Sequence, residues 1–318
     1  MNNNIIFSII IIFKKESESL KKLLNELNFQ KNKNFEVLLV SENSYENNIV
    51  TSYNIRFIKT DETYPGKKRH TGYLESKGSV LCFIDDDAYP EHDWLKNIND
   101  YIKKGFKVLG GPAIDITDEK FIPKILSLFY KLKILGGFPE RYSKQKNKIV
   151  DDWPSVNFVI DKYTYSKTRG FDYKIWPGED TLLCNELNLQ GKNINYFNDI
   201  LVHHKRRINI SSHIKQLYGY SSTRGLLFKK KIKNSYKLKF LIPSLFLFYV
   251  LSLGLIDIPL YWAPLIIYFL LSFSVHLEFK FRKREKFIIC LFSFFITFIN
   301  HLIYGLGFII GIFSNKKL

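Results

Sequence analysis

Cysteine is scarce in this sequence, and the few cysteines lie far apart. The 318 residues include three, at positions 82, 184 and 290, each in an apolar context. Their spacing matches neither a disulfide framework nor the paired cysteines of a structural zinc site. The cysteine usage therefore excludes a disulfide-stapled scaffold and indicates no cysteine-bound metal.

A secretory signal is also missing from the N-terminus. The apolar run 5–13 is only nine residues long, lacks a preceding basic region and has no small-residue cleavage site. This pattern predicts a buried strand instead. We therefore expect residues 1 to about 237 to stay in the compartment where they are synthesised.

Charged residues are absent from three stretches near the C-terminus. These stretches are 240–256, 258–277 and 287–313, with 17, 20 and 27 residues. About 20 apolar residues match the roughly 30 Å hydrocarbon core of a bilayer. The pattern predicts a domain over 1–237 and a membrane region over 238–318 with two to three transmembrane helices. The third stretch contains Asn300 and His301, so it is either a full span or a broken, re-entrant segment.

Positive charge flanks the apolar stretches and contributes to a formal net charge of +17. Lysines and arginines cluster at 229–233 and 280–286, whereas the connection around Asp257 has no basic residue. Because basic loops stay on the cytoplasmic side, we expect a multi-pass protein of the cell membrane. Its N-terminal domain would be cytoplasmic, with a short outward turn at Asp257.

The N-terminal region alternates short apolar strands with amphipathic helices. Strands are predicted over 5–13, 35–44, 55–60 and 78–87, and helices over 18–29, 66–76 and 91–104. This alternation predicts an α/β domain with a mostly parallel sheet covered on both faces. Such sheets bind ligands beyond the carboxyl ends of their strands. The amphipathic segment 121–135 is either a core helix or a helix at the membrane interface.

Three consecutive carboxylates, Asp85, Asp86 and Asp87, follow the apolar run 80–84. A helix cap would explain one of them well and three poorly. Residues two apart on an extended chain point the same way, so Asp85 and Asp87 share a face. Mg²⁺ and Mn²⁺ take such hard oxygen ligands, commonly together with substrate phosphates. The cluster therefore predicts a divalent cation site at the end of a strand.

Four segments, in their order along the chain, resemble the family 2 glycosyltransferases. They are "FSIIIIFKKESESLKKLLNEL", "FEVLLVSENS", "KKRHTGYLESKGSVLCFIDDDAYPEHDWL" and "GFDYKIWPGEDTLLCNELNLQGKNINYFNDILVHHKRR". The resemblance covers about residues 5 to 225 and implies a Rossmann-like GT-A fold and a nucleotide-sugar donor. The basic segment that follows, ahead of apolar stretches, is similar to the membrane-anchored members that build bacterial exopolysaccharides.

The resemblance implies roles on the donor side. Glu42 matches an acid that contacts the nucleotide base, although a serine precedes it where the family has a second acid. Arg69 matches a basic residue near the nucleotide. Asp85 and Asp87 match the pair that binds Mg²⁺ or Mn²⁺ and through it the diphosphate, and Asp86 is assigned to the nucleotide-sugar site beside them.

The resemblance also implies roles on the acceptor side. Asp180, in the Gly-Glu-Asp segment, matches the general base, and Glu179 is its competitor for that role. His203 matches a histidine that approaches the metal and the diphosphate. The metal would neutralise the leaving diphosphate, and the carboxylate on the opposite face would deprotonate the acceptor hydroxyl as it attacks. A direct displacement of this kind inverts the anomeric centre.

The expected partners are a nucleotide sugar, with a UDP-sugar favoured, a saccharide or lipid-linked saccharide acceptor, and membrane lipids. Two alternatives stay open, namely transfer to a polyprenyl phosphate and a non-catalytic, basic, membrane-tethered binding protein. Nucleic acid is not an expected partner. Residues 1–237 carry 39 basic and 27 acidic residues, a net +12, without a base-reading motif.

Overall fold

The computed structural model describes residues 7–45, 50–116, 121–133, 136–205, 209–256, 258–277 and 283–316. These residues fall into two compact units. The first combines the chain up to residue 116 with 140–205, and the second combines 121–139 with 209–316. The segment 209–237 thus groups with the C-terminal helices, and a domain boundary after residue 237 stays a prediction.

Eleven strands are described, all in the first unit. They are β1 Phe7–Ile12, β2 Phe35–Ser41, β3 Asn54–Lys59, β4 Val80–Asp85, β5 Ala88–Pro90, β6 Val108–Gly110, β7 Ala113–Asp115, β8 Lys148–Val150, β9 Asn157–Asp161, β10 Ile194–Tyr196 and β11 Val202–His204. Eight form one sheet in the order β3-β2-β1-β4-β9-β6-β10-β8, and β5-β11-β7 form a second. Strands β1 to β4 pair in parallel, whereas β9 is antiparallel to β4 and β6. The predicted α/β class with a mostly parallel sheet is confirmed.

Eleven α-helices are described. They are α1 Glu18–Leu27, α2 Pro65–Glu75, α3 Trp94–Lys103, α4 Phe121–Lys131, α5 Pro139–Tyr142, α6 Lys162–Ser166, α7 Glu179–Leu189, α8 Ile210–Lys229, α9 Ile242–Ser252, α10 Ala263–Leu277 and α11 Lys283–Phe313. In α1, Leu20, Leu23, Leu24 and Leu27 are buried, as their spacing of three and four predicts. The side chain of Ser17 caps this helix by accepting the Leu20 N–H at 3.1 Å.

The large sheet separates two apolar cores because side chains alternate along its strands. Ile9 and Val37 belong to the core that contains the apolar residues of α1 and α3. The neighbouring residues Ile10 and Leu38 belong to the opposite core, which contains Leu183 of α7. Both faces are therefore covered, and the carboxyl edge of the parallel strands is left to bind ligands.

Two glycines allow segments of the backbone to pack closely near the carboxyl edge of the sheet. A Cβ on Gly66 would lie 2.7 Å from the carbonyl oxygen of Phe171 and 3.0 Å from Cγ of Glu179. A Cβ on Gly111 would lie 1.6 Å from the carbonyl oxygen of Ile200. The first contact brings the start of α2 against the start of α7, and the second brings β6 against the segment that leads into β11.

The second unit consists of the helices α4 and α8 to α11. One helix among the described residues, Phe287–Phe313, is long and apolar enough to cross a membrane by length and composition. The apolar helices Leu238–Ser252 and Pro259–Ser274 are shorter. The predicted multi-pass arrangement therefore finds no support here. Its outward turn at Asp257 and residues 280–282 of its basic loop lie outside the described residues.

Candidate active site

The three consecutive carboxylates lie at the carboxyl edge of the parallel strands. Asp85 is the last residue of β4, and Asp86 and Asp87 form the turn into β5. In the neighbouring strand β1, Ile12 lies level with Asp85 on one side and with Val40 of β2 on the other. The residues that follow β2 therefore lie along the same edge as the carboxylates.

Asp85, Asp87 and His204 form a cluster, which we call the Asp-Asp-His cluster. One ligand atom from each residue lies within 4.8 Å of the other two, and all three side chains are half-buried. His204 Nε2 is 3.0 Å from Asp87 Oδ1. The Lys205 N–H donates to the carbonyl oxygen of Asp87 at 3.1 Å, which ties the end of β11 to the turn after β4. Two carboxylates and an imidazole suit Mn²⁺, and the carboxylates suit Mg²⁺. The residues present therefore fit a divalent cation.

His203, the histidine chosen from the sequence, lies elsewhere. Its Nε2 is 2.7 Å from Glu91 Oε1. Successive side chains of a strand point to opposite faces, so His203 and His204 cannot both face the carboxylates. The histidine that lies with Asp85 and Asp87 is therefore His204, whereas the role of His203 stays a prediction.

Arg69 links the Asp-Asp-His cluster to the start of α7. Its Nη2 is 2.7 Å from Asp85 Oδ1, and its Nη1 is 3.0 Å from Glu179 Oε1. The guanidinium is buried and stabilises two carboxylates that would otherwise repel each other. The family resemblance places Arg69 near the nucleotide, and in the structure its guanidinium lies between Asp85 and Glu179.

Glu179 and Asp180 begin α7 after Gly178, whose φ of 120° lies in the region that favours glycine. Glu179 is buried against Arg69, whereas Asp180 is half-buried. Burial, and then the charge of Asp180, raises the pKa of Glu179. Burial, and then the charge of Asp152, raises the pKa of Asp180. Asp180 is thus the more accessible carboxylate of the pair.

Hydrogen bonds connect Asp180 to Asp152. The Thr181 N–H donates to Asp180 Oδ1 at 2.8 Å, and the Thr181 hydroxyl donates to Asp152 Oδ1 at 3.2 Å. Arg141 Nη2 donates to the Asp152 carbonyl oxygen at 3.1 Å. Sequence reasoning missed Asp152 and Arg141 because they precede α7 by about 30 to 40 residues, and no local motif joins them to it.

Glu42 and Asp86 complete the predicted donor side. Glu42 follows β2 and forms an ion pair with the buried Lys68, a neighbour of Arg69 that sequence reasoning overlooked. Burial, and then the charges of Asp87 and Asp85, raises the pKa of Asp86 to about 7. The part of the shift that comes from Asp87 and Asp85 reflects repulsion among the clustered carboxylates, which a cation would relieve.

The comparisons with known proteins bear on this edge of the sheet. Residues 8–164, from β1 into α6, match the family described as Glycosyl transferase family 2. This match, over just under half of the chain, supports a family 2 glycosyltransferase. The matched segment includes Glu42, Arg69 and the three consecutive carboxylates, whereas Glu179, Asp180 and His204 lie beyond it.

Two relatives and one solved structure extend the comparison. A protein of Methanococcus voltae named "Dolichyl N-acetyl-alpha-D-glucosaminyl phosphate 3-beta-D-2,3-diacetamido-2,3-dideoxy-beta-D-glucuronosyltransferase" is 24% identical over 335 aligned positions, covering 99% of both chains. Glycosyltransferase AglE of Haloferax volcanii is 29% identical over 121 residues, which are 35% of this chain and 37% of that protein. The mannosyltransferase PcManGT from Pyrobaculum calidifontis, solved with GDP-Man and Mn²⁺, has a TM-score of 0.64 at 11% identity and covers 98% of this chain and 88% of its own. This likeness shows a shared GT-A fold.

Proposed function

We propose that this family 2 glycosyltransferase is a metal-dependent, inverting enzyme. It moves a sugar from a nucleotide sugar to a saccharide linked to a polyprenyl phosphate, at the cytoplasmic face of the membrane. One observation carries the proposal. A single buried guanidinium, that of Arg69, joins the Asp-Asp-His cluster to the pair Glu179 and Asp180, so donor-type and acceptor-type groups share one edge of the sheet.

The donor side consists of the Asp-Asp-His cluster and Glu42. Asp85, Asp87 and His204 would hold Mg²⁺ or Mn²⁺, which when bound neutralises the charge that develops on a leaving diphosphate. Glu42 lies after β2 on the same edge and can accept a hydrogen bond from an N–H of the base, for which we favour the uracil of a UDP-sugar. The GDP-Man and Mn²⁺ bound by PcManGT support a nucleotide sugar with a cation on this fold.

The acceptor side consists of Asp180 and the exposed ring of Trp176. Asp180 takes the proton from the acceptor hydroxyl as the hydroxyl attacks, and attack opposite the leaving diphosphate inverts the anomeric centre. Its raised pKa makes it a better base than an ordinary aspartate. Trp176 is 60% exposed and can stack on a sugar ring, whereas Trp153 is buried in the core.

A lipid-linked saccharide is the acceptor class that the relatives favour. The Methanococcus voltae relative, by its name, acts on an N-acetylglucosaminyl group carried by dolichyl phosphate, and it matches this chain over 99% of its length. The apolar helices of the second unit agree with a substrate that is held at a membrane. The polyprenyl phosphate itself is the alternative acceptor, because it shares the lipid chain and lacks only the sugar.

The purified full chain, supplied with UDP- and GDP-sugars and with Mn²⁺, tests the proposal. We expect release of a nucleoside diphosphate when a polyprenyl-phosphate-linked saccharide is added, and NMR of the product should show an inverted anomeric centre. A chelator should abolish turnover. Faster transfer to a free polyprenyl phosphate would select the alternative acceptor. Absence of turnover with every donor would favour the non-catalytic binding protein.

The pH profile provides a second test, of the base. Asp180 must be ionised to accept a proton, so its raised pKa moves the acidic limb of kcat/KM above the usual range of an aspartate. Asp152→Asn removes the charge that, after burial, raises this pKa most. We therefore expect its acidic limb at lower pH than in the wild type.

The control for that profile is Asp151→Asn, which removes the same charge from the neighbouring, exposed residue. Its acidic limb should match that of the wild type. Equal shifts in the two variants would mean that net charge alone moves the profile, and the assignment of Asp152 would then be wrong.

A further inference from the structure

Helix α11 is long and apolar enough to cross a membrane, yet α8 packs along its C-terminal half. His213 Nε2 is 2.9 Å from Asn300 Oδ1, and Lys229 Nζ donates to the Ser314 carbonyl oxygen at 3.1 Å. The contacts therefore advance along both helices in the same direction, and α8 and α11 are parallel. The C-terminal end of α8, which carries Lys229, therefore lies beside the C-terminal end of α11.

Small residues hold the two helices close together. A Cβ on Gly225 would lie 2.0 Å from the carbonyl oxygen of Phe308, and a Cβ on Gly311 would lie 1.9 Å from that of Ser222. Such contacts between glycine and backbone mark intimate helix packing. Helix α8 therefore cannot stay in water while the paired part of α11 enters hydrocarbon.

The surface of α8 is unsuited to hydrocarbon. Lys215 is exposed in its first half, Lys229 is exposed at its end, and Lys230 and Lys233 follow in the exposed segment 229–233, here called the basic segment. Charged side chains within a bilayer are costly unless they face a polar cavity. A crossing by α11 would carry Lys215 into the membrane and the basic segment to its far side.

The exposed apolar residues of α11, with one exception, form one stripe along its whole length. Phe287 near the start of the helix lies outside this stripe, and the others are spaced by three, four or seven residues: Ile288, Phe292, Phe295, Ile299, Leu306, Ile310 and Phe313. Another face of the helix is covered, since Ile289 and Ile296 pack with Ile125 and Leu128 of α4. An exposed apolar stripe on a helix whose other side packs on protein is typical of a helix that lies in the membrane interface.

We infer that the second unit docks on one leaflet of an anionic bilayer and that α11 does not cross it. The apolar stripe of α11 enters the acyl region, and exposed apolar residues of α9 and α10, such as Leu245 and Leu270, add to the apolar surface of this unit. The basic segment contacts anionic headgroups, whose charge complements its own. This inference concerns attachment and does not depend on the proposed reaction.

Single cysteines introduced into the full chain test the topology. With Cys82, Cys184 and Cys290 replaced by alanine, Lys233→Cys and Asn315→Cys each receive an impermeant maleimide in intact and in opened cells. We expect both positions to react only in opened cells, because both lie on the side of the basic segment. A crossing by α11 would carry both positions to the far side together, so labelling of residue 315 in intact cells, with or without residue 233, would overturn the inference.

Vesicle flotation after cell-free synthesis tests the lipid partner. Each lysine near an anionic surface contributes about a fivefold gain in binding, so the double variant Lys230→Glu, Lys233→Glu should bind phosphatidylglycerol vesicles at least about 25-fold more weakly. Binding to phosphatidylcholine vesicles should change little. The control, Lys144→Glu with Lys146→Glu, makes the same charge change on exposed residues of the first unit. Equal losses in both double variants would overturn the assignment of the basic segment.

Discussion

Asp180→Asn should keep the affinity for the nucleotide sugar while sugar transfer falls by about 10²- to 10⁴-fold, the range typical of a lost general base. Asparagine preserves the size of the side chain and can still accept the Thr181 N–H, but it cannot take a proton from the acceptor. Calorimetry of donor binding, beside turnover at saturating donor, measures the two effects separately.

Glu179→Gln is the matched variant, because it makes the same chemical change one residue earlier. Glu179 is buried against Arg69, so its substitution should lower stability and disturb Asp85 while Asp180 remains competent. An inactive, folded Glu179→Gln beside an active Asp180→Asn would shift the base by one residue. Normal turnover by both variants would mean that the Gly-Glu-Asp turn is structural.

His204→Ala and Asp87→Asn should each lose metal-dependent donor binding, by at least about 10²-fold. Removal of a residue that only supports a metal ligand typically lowers metal affinity or activity by about 10- to 100-fold. Removal of a direct ligand should lower them at least as much. The measurement is calorimetry of the nucleotide sugar with Mn²⁺, repeated with a chelator. The chelated wild type should resemble both variants.

His203→Ala supplies the control from the adjacent residue. Its imidazole pairs with Glu91, so its removal should leave donor binding close to that of the wild type. If His203→Ala loses the binding and His204→Ala retains it, the sequence-based choice of histidine was right and the cluster has another role.

The long apolar and periodic segments were predictable from the sequence. Strands β1, β2 and β4 are uninterrupted apolar runs, and α1 repeats leucine at helical spacing, so local pattern alone identifies them. The insertion of β9 between β4 and β6 was not predicted. Its antiparallel pairing depends on contacts between residues about 75 apart, which no local pattern encodes.

The residue types of the site were predictable from the sequence, but the contacts between them were not. The carboxylates at the end of β4 stand out because the strand before them is apolar. The selection of His204 over His203 depends on the register of β11 against β5, which places His204 opposite Ala88. Hydropathy likewise identified the apolar stretch of α11, but it cannot show that α8 packs along that helix.

The placement of Arg69 has a consequence for how this family can vary. Its guanidinium is shared by Asp85 and by Glu179, which lies 110 residues further along the chain than Arg69. A chain that lost one of the two carboxylates would keep the buried Arg69 guanidinium with only one carboxylate to balance its charge. Substitutions at these three positions should therefore covary among homologues, so that the donor and acceptor halves of the site are inherited together.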